Sequence, residues 1–142
     1  MKILIQRNET KDGCALGSLI IDNEVFCDVM ESQRMIPPWV KRGWLDPKLP
    51  PEPVGLLRGK YMLIFRKLTT GKEQLVIYKN SLTRARFVSE AVNDHKGNIA
   101  LGRRVEGTDT LIGGERCLKV FEDMVREYLT RERHYSMHIE II

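Results

Sequence analysis

No apolar run in this chain approaches the ~20 residues that a membrane-spanning helix requires, so no membrane partner is expected. Cysteine is scarce. Cys14, Cys27 and Cys117 are odd in number, widely spaced and without a C-x-x-C pair, which argues against both a disulfide framework and a zinc site. Reduced, packed thiols are expected. Aromatic residues make up only 7% of the sequence, with two Trp, Trp39 and Trp44, so the stacking rings that a single-strand surface needs are thin. There is no long run of one charge either. The net charge is +4 and the pI about 9.0, but the basic residues come as local pairs: Lys41-Arg42, Arg66-Lys67, Arg84 with Arg86, and Arg103-Arg104. That distribution speaks against nucleic acid and mildly for anionic partners. No P-loop, dinucleotide-binding glycine pattern or G-x-S-x-G elbow is present, and no cofactor is expected. His134 and His138 lack a carboxylate or Cys at ligand spacing, so no metal is expected either. Met1-Lys2-Ile3-Leu4-Ile5-Gln6-Arg7 is interrupted too early for the about 7–15 apolar residues of a secretory signal, which leads to the expectation of a cytoplasmic protein.

What is present fits one domain, residues 1–142, large enough to bury a core without staples. Met1 to Gln6 reads as an opening strand, ended by the polar turn Arg7 to Gly13. Leu16–Asp22 and Glu24–Met30 are two apolar runs split by Asp22-Asn23, a hairpin signal because Asn tolerates positive φ. From Glu31 to Arg58 six prolines forbid ladder pairing, and this stretch, 31–58, is expected to be a long Pro/Trp loop serving as a lid or anchored by its Trp. Gly59–Leu68 and Glu73–Tyr78, joined by the turn Thr69 to Lys72, are the clearest strands. Phe87–Val92 and Asn98–Leu101 are shorter, separated by a polar connection, Asn93 to Gly97, with Gly97 supplying a tight turn. A Gly-rich segment, Gly102–Gly114, leads into one helix, Glu115–Arg131, whose Cys117, Phe121, Met124 and Tyr128 form an apolar stripe widened by Leu118, Val125 and Leu129. Tyr135–Ile142 alternates as a final strand. The expectation is an α+β protein, a barrel or sandwich of about 7–8 mostly antiparallel strands with one helix in its C-terminal half.

The stretch Arg84 to Gly102 carries the densest mixture of chemistries. Arg84, Arg86, Lys96, Arg103 and Arg104 flank it and offer fork geometry suited to phosphate or carboxylate, although a solvated basic strand edge is an equally plain account. Glu90 and Asp94 could pair for acid–base work, His95 sits in a polar turn, and separated loop acids or a turn histidine are ordinarily just solvated.

The order Leu4-x-x-Arg7, Gly17-Ser18-Leu19-Ile20-Ile21-Asp22, Phe26-Cys27, Met30-Glu31, Gly59-Lys60-Tyr61, Arg86-Phe87 and Asp94-His95-Lys96-Gly97-Asn98-Ile99-Ala100-Leu101-Gly102 resembles a family of small proteins of unknown function carried by bacteria and their phages. That family shows an Arg-Ile-His-x-Gly-Asn segment before an Asp-Thr-x-Gly-Cys-Ile-Leu-x-Gly segment, and both are similar to motifs of L,D-transpeptidases, cysteine enzymes that cross-link peptidoglycan stems. The resemblance implies a nucleophilic Cys at the position of Asn98 and its His base near Phe87 or Val88. Neither is there. A thiolate mechanism needs both, so the resemblance implies a scaffold without its chemistry: a non-catalytic module binding a small anionic ligand, a nucleotide signal or peptidoglycan fragment, through Arg84, Arg86, His95, Asn98 and Arg103. A phage-borne form could sequester a nucleotide immune signal. The alternative is a cysteine enzyme using Cys117 with His95, against which stands the place of Cys117 on the helix stripe, where free Cys behaves as a small hydrophobe. A third reading is a structural or interaction protein, homo-oligomeric through an exposed edge strand.

Overall fold

Apolar residues at every second position write the inner face of each strand. They do so in β1 (Ile3–Lys11), β2 (Cys14–Ile21), β3 (Glu24–Ser32), β4 (Gly59–Lys67), β5 (Glu73–Tyr78), β6 (Arg86–Glu90), β7 (Ile99–Arg104) and β9 (Ser136–Ile141). Ile3 and Ile5, Leu19 and Ile21, Cys27 and Val29, Tyr61 and Leu63, Leu75 and Ile77, Ile99 and Leu101, and Met137, Ile139 and Ile141 all join one buried cluster. In the computed structural model, which describes residues 1–11, 14–32, 57–79, 86–90, 98–108 and 110–142, these strands form an α+β fold. The order β3-β2-β1-β9-β4-β5-β6-β7 returns to β3 through a β3–β7 ladder, giving a closed barrel of eight strands, and the short β8 (Leu111–Ile112) is added on β7.

The β4–β5 hairpin is as the sequence implies, and so is the order of the opening meander, but β1 continues through Arg7 to Lys11 where the sequence predicts a turn from Arg7 to Gly13, because these residues pair with β2. Asp22 and Asn23, at φ 50° and 69°, make the tight β2–β3 turn. Two pairings depart from the antiparallel rule: β1 with β9 and β6 with β7 are parallel. The connection between β6 and β7, with the turn expected at Gly97, lies outside the described residues. Glu90 is level with Leu101, so Asn98 lies about 10 Å back along β7 from the level where β6 ends. The Pro/Trp stretch, from residue 33 to residue 56, lies outside the described residues.

The helix α1 (Gly114–Glu132) follows its predicted stripe, burying Phe121, Val125 and Leu129. It packs on β6 and β7 while Phe121 meets Phe26 of β3, with ring centroids 6.1 Å apart, and Arg126 reaches Glu73 of β5 and stacks over Phe65 of β4. The helix therefore lies across one end of the barrel rather than along one face. Its apolar residues complete the interior cluster. Gly113, at φ 66°, leads into the helix, and Arg133, at φ 55°, ends it with its N–H directed at the carbonyls of Leu129 and Thr130. None of the helices among the described residues is long and apolar enough to cross a membrane.

β1 and β2 approach unusually closely where the register shifts between Arg7 and Glu9. A β-carbon on Gly17 would lie 2.1 Å from the Gln6 carbonyl oxygen, against backbone that cannot rotate aside. Gly17→Ala is expected to cost about 3 kcal/mol or more, since overpacking against fixed atoms is destabilising. Urea denaturation of the variant measures this, and a loss under about 0.5 kcal/mol would show that the strands can part without penalty.

Candidate functional site at the polar end of the barrel

The end opposite the helix is where β3 finishes and β4, β6 and β7 begin. Here the inward alternation continues but changes chemistry. On β1, Ile3 and Ile5 are followed by Arg7. On β3, Cys27 and Val29 are followed by Glu31, opposite the inward Ile99. On β6, Arg86 precedes Val88 and stands opposite the inward Ile77. On β4, Tyr61 is opposite the inward Ile139. Arg7, Glu31, Tyr61 and Arg86 thus form a polar layer above the apolar core.

Its centre is a two-pronged ion pair. Arg7 Nε donates to Glu31 Oε2 at 2.7 Å and Arg7 Nη2 to Glu31 Oε1 at 2.9 Å, and Glu31 is only 1% exposed. The hydrogen bond to Glu31 pushes the Arg7 pKa up despite burial, so the guanidinium stays charged. Tyr61 donates its hydroxyl to the Leu57 carbonyl. Burial pushes its pKa upward too, keeping it a neutral donor. Lys79 Nζ lies 5.8 Å from the Tyr61 ring centroid, within cation–π range. Arg86 is 3% exposed, a rare state for arginine.

Of the residues expected at a site, Arg86 and Asn98 are at this end. Asn98 is half-buried and immediately precedes β7. The β6–β7 register sets Val88 beside Ile99, so Phe87 and Asn98 stand side by side one step earlier, on the outer face by alternation, while Arg86 faces inward. Arg103 is elsewhere: exposed, at the far end of β7 and paired with Ile112. Arg84, Asp94 and His95 lie outside the described residues, and Glu90 is exposed at the end of β6. Cys117 is half-buried at the helix end, beside the buried thiol of Cys27. Among the described residues no three of His, Cys, Asp and Glu gather where a metal could be held. Arg7, Glu31, Tyr61 and Lys79 were not read as site residues, although the inward positions of 3-5-7 and 27-29-31 carry the signal for the first two.

Against models of known protein families, curated proteins and solved structures, the chain finds no match.

Arg7→Met or Glu31→Leu alone leaves an uncompensated buried charge and should cost about 3–5 kcal/mol, whereas the double variant should recover most of that loss. Chemical denaturation of the three proteins forms a double-mutant cycle, and additive losses would mean that the two charges do not depend on each other. Burial pushes the Cys27 thiol up to about 12 from an ordinary 9.0. Because its folded pKa is raised, the stability that Cys27 contributes as a thiol is present below pH ~9 and is lost as pH rises toward ~12. Iodoacetamide at pH ~8 should label Cys27 last of the three cysteines, and early labelling of Cys27 would contradict its burial.

Proposed function

We propose that this chain is a non-catalytic binding module for a small anionic ligand, a nucleotide or a peptidoglycan fragment, on a scaffold similar to that of L,D-transpeptidases. The observation that carries the reading is the burial of Arg86 in the polar layer at one end of the barrel, since a guanidinium presents the fork geometry that suits phosphate or carboxylate.

Two further observations support it. Five of the seven segments behind the family resemblance, those of Arg7, Glu31, Tyr61, Arg86 and Asn98, are distant in sequence and meet at this end, while Gly17–Asp22 and Phe26-Cys27 run toward the other. The position that the resemblance gives to the thiol, Asn98, is also adjacent to Phe87, near which it puts the base. Such adjacency is what a thiol–imidazole pair requires, and an amide beside a phenyl ring can neither attack a carbonyl nor remove a proton. The reading with Cys117 as nucleophile draws no support from its position, which is at the opposite end of the barrel against Cys27.

Isothermal titration against a cyclic dinucleotide, a nucleoside monophosphate and a muropeptide tests the proposal. Saturable heat is expected with one of the three. Asn98→Asp, a near-isosteric change that sets a negative charge at the rim, should weaken that binding by about tenfold; Arg86→Met should abolish it. Absence of heat with all three probes would remove the proposal, as would an Asn98→Asp protein that binds as tightly as the parent.

A further inference from the structure

A groove of about 620 Å³ runs along the outside of the barrel where β1, β9 and β4 meet, and shares no lining residue with the polar end. Its origin is an incomplete ladder. β4 pairs with β9 at every position from Gly59 to Ile64, but β1 pairs with β9 only at Leu4–Glu140 and Ile5–Ile141. Ser136 to Ile139 therefore run past Met1 to Ile3 without ladder pairing between the two strands, and the seam opens toward the helix.

The outward side chains beside this seam are unusual. An outer barrel face is ordinarily polar, yet Leu4 and Met62 point outward here and, with Tyr128 from the helix, are half-buried along the groove. Around this apolar floor stand Lys2, Lys60, His134 and His138, with Glu140 as the acid, placed opposite Lys60 in the β4–β9 register. Basic groups outnumber acidic ones over an apolar base. The volume is that of a small-molecule site, ~300–1,000 Å³. We infer that this groove is a second binding site, for a small amphipathic anion: a carboxylate or phosphate monoester on an aromatic or short acyl body. The body covers Leu4, Met62 and Tyr128, and the anionic head meets Lys2 and His138 on the β1 side of the seam. This inference is independent of the function proposed for the polar end.

The test is an amide NMR titration of the whole chain with phenyl phosphate, benzoate, benzyl alcohol and an acidic aromatic peptide. Saturable shifts at Leu4, Met62, Ser136 and His138 are expected with phenyl phosphate or benzoate, and the stronger of the two identifies the head group. The Lys2→Met/Lys60→Met protein, altered only at exposed positions and checked by its melting curve, should bind that probe about tenfold more weakly. Equal shifts with benzyl alcohol, preference for the peptide, shifts confined to Arg86 and Asn98, or unchanged affinity in the double variant would each overturn the inference.

Discussion

Everything at the polar end depends on the ladder that joins β3 to β7. Its four pairs, Asp28–Gly102 to Glu31–Ile99, convert a curved sheet into a ring and remove the two long edges that would otherwise stay exposed. They also set Glu31 level with Ile99 and hence with Val88 on the next strand. Without that register, Glu31 would be an acid at the end of a peripheral strand. With it, the carboxylate is enclosed, and enclosure is tolerable only because Arg7 arrives from β1 with both prongs of its guanidinium. The charged layer is thus a consequence of closure, held in place by the same strands that make the core.

Closure also separates the two ends of the molecule by chemistry. At one end α1 supplies Phe121, Val125 and Leu129 to the interior cluster, so the barrel is finished with apolar side chains and the thiols there, Cys27 and Cys117, serve as packing. At the other end the interior finishes with ionic and hydroxyl groups. A barrel of eight strands has an interior that side chains just fill, so substitution of the last inward layer alone is enough to change what that end can hold. The groove at the β1–β9 seam arises differently, from two parallel strands that pair over a short length while the antiparallel partner of β9 follows it throughout.

Much of this was legible in the residues, and the failures have specific causes. The helix, the Asp22-Asn23 turn and the β4–β5 hairpin rest on local signals, namely spacing at 3.6 and turn residues tolerant of positive φ, and the structure has all three. The polar layer was hidden by strand boundaries. Reading β1 as ending at Gln6 assigned Arg7 to a turn, and ending β3 at Met30 assigned Glu31 to the loop, because charge is a strand-breaking signal unless something distant neutralises it. What neutralises each is the other, 24 residues away, and no local pattern contains that fact. The same holds for β6 and β7: two short apolar runs with a glycine between them look like neighbours in a meander, and only their own pairing, Val88 beside Ile99 through Glu90 beside Leu101, shows that they run in the same direction.

The β3–β7 ladder has a temporal side as well. Asp28 and Arg104, which meet through a carboxylate and a backbone N–H, are 76 residues apart in sequence. A ribosome releases the first three strands well before the seventh, so the nascent meander waits with one flank bare, and contacts of such long range are slow to form. Glu31, charged and pointing toward the future interior, sits on that flank through the wait, and an inward-pointing charge is a known safeguard against pairing with a neighbouring chain. The residue that anchors the finished ring is thus also suited to guarding the unfinished one.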